Sequence, residues 1–169
     1  MLRPIVRYPA APLAARAAEV TTFDGELERL IDDMIDTMYA APGIGLAAPQ
    51  VGVSLRVCVI DLSVGKRGGE LITLINPEFV QREGLQVEEE GCLSVPGFNA
   101  TVARPARAVV RALDRTGAER VVEGTGLMAR ALQHELDHLD GTLFLDHLRG
   151  IKRDLIVRKI RKLQRSGKW

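Results

Sequence analysis

Between Asp24 and Tyr39 the residues Leu27, Leu30, Ile31, Met34, Ile35 and Met38 recur three and four apart, the spacing that gathers them on one face of an α-helix. Asp24 suits the cap of that helix and Pro42-Gly43 lie beyond its end, so an amphipathic helix packed on a core is predicted. The next stretch, Gly43-Ile44-Gly45-Leu46-Ala47-Ala48-Pro49-Gln50, is too rich in glycine and small residues for a helix or an ordinary strand, and reads as a loop or an irregular edge strand. Strand-like runs follow at Arg56–Leu62, Leu71–Ile75, Leu85–Glu90, Thr101–Arg104, Ala108–Leu113 and Arg120–Glu123, divided by turn signals such as Lys66-Arg67-Gly68-Gly69. Two more helices close the chain. One runs from about Thr125 to Asp140 and stops at Gly141, and the other starts near Asp146 with the stripe Ile151, Leu155, Ile156, Ile160 and Leu163. Helices bracket a block of strands without βαβ alternation, which predicts an α+β fold of mostly antiparallel sheets around a central helix.

A length of 169 residues fits one domain, residues 1–169, and the 46% hydrophobic and 27% charged fractions are those of an ordinary globular protein. No apolar run is long enough to span a bilayer. The small-residue start Tyr8–Ala15 is broken by two prolines and followed by Arg16, so it reads as mature protein in the cytoplasm, an organelle transit segment being the less favoured reading. Two cysteines, Cys58 and Cys92, are too few for a disulfide scaffold and suit a reducing compartment. The net charge of +1 hides a division: Arg149–Trp169 carries nine Lys/Arg against Asp154 alone, hence +8, leaving −7 on the body. That asymmetry points to a contact surface at the C-terminus.

The central helix carries the chemistry. His134-Glu135-Leu136-Asp137-His138 is an H-E-x-x-H motif, in which imidazoles at i and i+4 share one face and can hold one metal ion while Glu135 handles the protons of an attacking water. Two surface histidines beside a solvated glutamate are the bland alternative. A catalytic site of this type wants a third protein ligand. Phe144 stands where one extended protease motif has a histidine, and no glutamate follows Glu135, so the two common protease arrangements fail. His147, a downstream aspartate or an earlier residue remain, and Cys92 stands out because Glu88–Gly97 runs a strand into a Gly/Ser/Pro turn.

Three segments, Gly43-Ile44-Gly45-Leu46-Ala47-Ala48-Pro49-Gln50, Glu90-Gly91-Cys92-Leu93-Ser94 and Gln133-His134-Glu135-Leu136-Asp137-His138, resemble in sequence, order and spacing the three signature motifs of the peptide deformylases. The resemblance implies a metal hydrolase that removes the formyl group from N-formyl-methionyl nascent peptides. It implies Cys92, His134 and His138 as metal ligands, Glu135 as general acid/base, and Gln50 with the Leu93 amide as donors to the oxyanion. The backbone around Ile44 and Gly45 would pair with the substrate as an added strand, which gives the glycines the role of admitting another chain. Ligand softness favours zinc, whereas the resemblance implies Fe(II), with zinc, nickel or cobalt also able to bind. It further implies docking of the basic C-terminal helix near the ribosomal exit tunnel; the protein is expected to be a monomer. Asn99 departs from the arginine that the family often has there, while Val102 and Arg104 fit. Cys58, in Val57-Cys58-Val59-Ile60, reads as a buried small hydrophobe, and His147 as a cap or surface residue. Two rivals remain: another metal hydrolase that does not use Cys92, and a basic-tailed RNA-binding module with a structural metal.

Overall fold

The computed structural model describes residues 1–169. Asp24 accepts a hydrogen bond from Leu27 N at 3.1 Å and starts α1 (Gly25–Ala40), which buries Leu27, Leu30, Ile31, Met34 and Met38 as the spacing predicts. β1 (Gly45–Ala47) is a short edge strand that turns at once into a 3₁₀ turn, Ala48–Val51. β2 (Val57–Ile60), β3 (Ile72–Glu83), β6 (Arg107–Leu113) and β7 (Glu119–Thr125) join it in a five-stranded antiparallel sheet of order β1-β2-β3-β6-β7. β4 (Gln86–Gly91) and β5 (Asn99–Arg104) form a separate antiparallel hairpin. α2 (Gly126–Leu139) and α3 (Ile151–Arg165) complete the α+β architecture.

β2 is apolar at every position because both faces of the sheet are covered there. Val57 and Val59 face the cluster built on α1, while Cys58 and Ile60 face the one built on α2, with Leu132, Leu136 and Leu139. Cys58 is thus a buried small hydrophobe, and burial pushes its thiol far up. A third cluster joins Val95 and Val102 of the hairpin region to Phe144, Leu145 and Ile160.

Two expectations need correction. The strand expected to end at Ile75 continues to Glu83: Asn76 adopts φ 51° at a register shift, and its side chain bonds both Val20 N (2.8 Å) and Val20 O (2.9 Å), so Asn76-Pro77 is an irregularity and not a stop. The helix expected near Asp146 begins only at Ile151. Asp146 instead closes a 3₁₀ turn over Phe144–His147 by accepting from Leu143 N at 2.8 Å. In α3 the buried residues are Val157 and Ile160, whereas Ile151 and Leu155 of the expected stripe are exposed. The end of α2 is as expected, with Gly141 at φ 76°. No helix is long and apolar enough to cross a membrane.

Candidate metal centre

α2 runs across the sheet against β1, β2, β6 and β7, and its inner face presents Arg130, His134 and His138 at four-residue intervals. The β4–β5 hairpin brings Cys92 over the same face from the turn that follows Gly91. The donor atoms of Cys92, His134 and His138 all lie within 4.8 Å of one another. His138 Nε2 is 3.4 Å from Cys92 Sγ and 3.2 Å from His134 Nε2, close to the roughly 3.3–3.7 Å edges of a tetrahedron whose bonds are about 2.0–2.3 Å long. One sulfur and two nitrogens are donors for a transition-metal ion. His147, the other histidine, lies outside this group and meets Asp137 Oδ2 at 2.7 Å, half-exposed.

The two imidazoles are held differently. His134 Nδ1 lies 2.7 Å from Glu90 Oε2, which leaves Nε2 for a metal. Burial disfavours its charged form, but hydrogen bonding to Cys92 and Glu90 outweighs this and holds its pKa well above the ordinary value; metal binding would displace that proton. Burial, then the neighbouring His134, pushes His138 well down, so it is neutral and a ready ligand. Its Nδ1 is buried without a protein partner.

Glu90 is the hub of a buried charge network. Arg104 clamps it with Nε at 2.8 Å and Nη2 at 2.7 Å, Arg130 Nη1 adds a contact at 2.8 Å, and Arg104 Nη1 reaches Asp137 at 2.9 Å. Burial alone would raise the Glu90 carboxyl, but Arg104 and His134 hold it far below the usual carboxylate range. The sequence motifs contain Glu90 without suggesting this task. The available signal was Arg130, a charge one turn ahead of His134 on the core face of α2, which requires a buried counter-charge.

Glu135 is 3% exposed and its Oε1 has no hydrogen-bond partner. Burial pushes its pKa up to about 7. Gly45 exists for this side chain: a Cβ there would stand 2.6 Å from Glu135 Oε2, just as one on Gly43 would stand 2.8 Å from Leu93 Cδ1. The absent side chains therefore admit residues of the protein itself. Gln50 is buried, its Oε1 accepting from Ala47 N at 3.0 Å and its Nε2 lying 3.1 Å from Ser94 Oγ and 3.6 Å from Cys92 Sγ. The Leu93 N–H donates to no backbone acceptor. A cleft of ≈ 840 Å³ opens over the group, lined among others by Ile44, Gly45, Gln50, Leu93, His134 and Glu135. Seven of the eight residues singled out in the sequence line this cleft and His138 completes the donor group behind it, while Asn99, opposite Gly91 in the hairpin, also lines the cleft.

The family model described as polypeptide deformylase matches residues 2–154. A peptide deformylase of Acidobacterium capsulatum is 52% identical over 169 residues, covering 100% of this chain and 99% of that protein; one of Alkalilimnicola ehrlichii is 52% identical over 165 residues, covering 97% and 92%. Among solved structures, a peptide deformylase from Legionella pneumophila superposes with a TM-score of 0.93 at 48% identity, covering 99% of this chain and 98% of that one. The Ehrlichia chaffeensis peptide deformylase in complex with actinonin gives 0.89 at 40% identity, covering 97% and 98%. A match in sequence and fold over nearly the whole chain places it in the polypeptide deformylase family.

Proposed function

We propose that Cys92 Sγ, His134 Nε2 and His138 Nε2 hold one divalent metal ion, and that Glu135 moves the protons in the hydrolysis this family performs: removal of the formyl group from N-formyl-methionyl nascent peptides. The convergence of three donors within 4.8 Å beside a buried carboxyl carries this reading. The ion, when bound, supplies a Lewis acid that activates water and polarises the formyl carbonyl.

Glu135 takes a proton from the attacking water and delivers it to the leaving methionine amine, and a carboxyl pushed up to about 7 is poised for both directions. Gln50 Nε2 and the Leu93 N–H donate to the formyl oxygen as it gains negative charge, each such donor being worth about 3 kcal/mol of barrier. Ile44 and Gly45 pair with the peptide backbone along the outer edge of β1, whose other edge is taken by β2. Formate and a peptide with a free methionine amine are the products.

The working metal is Fe(II) on the family resemblance, and zinc, nickel or cobalt suit the same donors. The enzyme acts as a monomer of one domain in the bacterial cytoplasm, and α3 docks it near the ribosomal exit tunnel. The test is to assay iron-loaded, anaerobically purified protein on formyl-methionyl and acetyl-methionyl peptides side by side. Formate release from the first without cleavage of the second is expected. A metal-replete protein that cleaves neither would overturn the proposal.

A further inference from the structure

We infer that Ser94 is a positioning residue that sets the side-chain amide of Gln50, an inference that rests on the proposed role of Gln50 as a donor to the substrate oxygen. A glutamine amide has two faces and rotates about three side-chain bonds, so its usefulness as a donor depends on what fixes it. Here both ends are held. Oε1 accepts from Ala47 N at 3.0 Å, which identifies the oxygen, and Nε2 donates to Ser94 Oγ at 3.1 Å, which fixes the plane. The second Nε2 hydrogen is left on the side of the metal ligands, where Cys92 Sγ lies 3.6 Å away. Ser94 is 0% exposed and Gln50 1%, so no water substitutes for the hydroxyl without opening the core.

The position of Ser94 itself does not depend on its hydroxyl. Its backbone N–H points to Cys92 Sγ at 3.4 Å, and its carbonyl accepts from Tyr8 N at 2.9 Å. Two residues earlier in the same N-terminal segment, Val6 N donates to the carbonyl of Gln50 at 2.8 Å. The segment therefore ties the backbone of Gln50 to the backbone of the Cys92–Ser94 turn. Removing the hydroxyl leaves this frame and the Cys92 ligand in place and frees only the Gln50 amide. The loss expected is that of one net hydrogen bond, and it falls on turnover and not on binding.

The experiment is a double-mutant cycle on the metal-loaded enzyme with a formyl-methionyl peptide, measuring kcat, KM and metal stoichiometry for Ser94→Ala, Gln50→Met and the pair. Ser94→Ala should lower kcat about three- to tenfold with unchanged KM and full metal occupancy. Gln50→Met should lower kcat further, and the pair should match Gln50→Met alone, because a residue acting through Gln50 has nothing left to act on. Additive losses, or loss of metal from Ser94→Ala, would overturn the inference, as would wild-type kcat in that variant. Wild-type kcat in Gln50→Met would instead sink the parent reading of Gln50, and this one with it. Should Ser94→Ala fail to fold, Ser94→Cys, which fills the site with a slightly larger side chain and a weaker acceptor, enters the same cycle.

Discussion

Glu90 Oε2 sits 2.7 Å from His134 Nδ1 and 2.7 Å from Arg104 Nη2, so one carboxylate oxygen both orients a candidate metal ligand and neutralises a buried guanidinium. Glu90→Gln should therefore do two separable things. Metal affinity should fall about 10–100-fold, the usual effect of losing a ligand's carboxylate partner. The metal-free protein should lose about 3–5 kcal/mol, since Arg130 remains buried without a carboxylate partner and Arg104 keeps only Asp137. Chelator competition reads the first and urea unfolding the second. In the parent protein the folded carboxyl lies below its ordinary 4.5, so its stabilisation is complete above that value and is lost as pH falls below it. A variant with unchanged acid sensitivity would contradict the network.

Gly45→Ala should leave the metal bound and remove turnover. The added Cβ stands 2.6 Å from Glu135 Oε2, and a displacement of about 1 Å in a reacting group can cost on the order of a hundredfold in rate. Metal analysis and kcat on the same sample check this. A Gly45→Ala enzyme with near-normal kcat would show that the Glu135 carboxylate has no fixed place.

Much of this was legible in the residues. α1 and α2 follow from periodic spacing with a capping aspartate and a terminating glycine, and the local signals of the metal motif suffice because its two histidines lie on one helix. The hidden parts are those in which tertiary contacts override local chemistry. Asn76 reads as a strand terminator until Val20 is seen to satisfy its amide. Asp146 reads as a helix start, but its carboxylate is spent on Leu143 N in an isolated turn. The glycines of the first motif read as room for another chain, and the structure adds a second constraint on them, since a Cβ at Gly45 would meet Glu135 and one at Gly43 would meet Leu93. No periodicity could announce that.

Glu135 and Cys92 should separate by what their loss removes. Glu135→Ala should keep the metal and abolish turnover, and Cys92→Ala should lose the metal first; metal lost in proportion to activity in the former would reassign Glu135 as a ligand. The metal-free enzyme adds a pH signature. Burial pushes the folded Glu135 carboxyl up to about 7 from an ordinary 4.5, so the stability of its neutral form is fully present below pH 4.5 and is lost as pH rises through about 7. Glu135→Gln, which cannot ionise, should be as stable as the parent at pH 4 and more stable at pH 8, by on the order of 3 kcal/mol. Parallel stability curves for the two proteins would contradict the burial of this carboxyl.

The last prediction concerns α3, where Lys152, Arg158, Lys159, Arg161, Lys162 and Arg165 are all exposed, with Ile151 and Leu155 exposed among them. The helix is nevertheless anchored. Val157 and Ile160 are buried, Ile160 against the cluster that also contacts Cys92, and Trp169 Nε1 donates to Tyr8 O at 2.6 Å. Deleting Leu155–Trp169 would therefore uncover apolar surface worth about 3–6 kcal/mol for Val157 and Ile160 together, and would confuse a docking defect with a folding defect. Replacing Lys152, Arg158, Lys159 and Lys162 with glutamine leaves the anchor intact and removes only exposed charge. If α3 is the surface that meets the ribosome, this variant should co-sediment with ribosomes more weakly at low salt and show a flatter dependence of binding on salt, because fewer counterions are released per contact. Its kcat/KM on short formyl peptides should equal that of the parent. Unaltered co-sedimentation across a salt series would reduce the basic face to a solubilising one and leave the enzyme to meet its nascent substrates by diffusion.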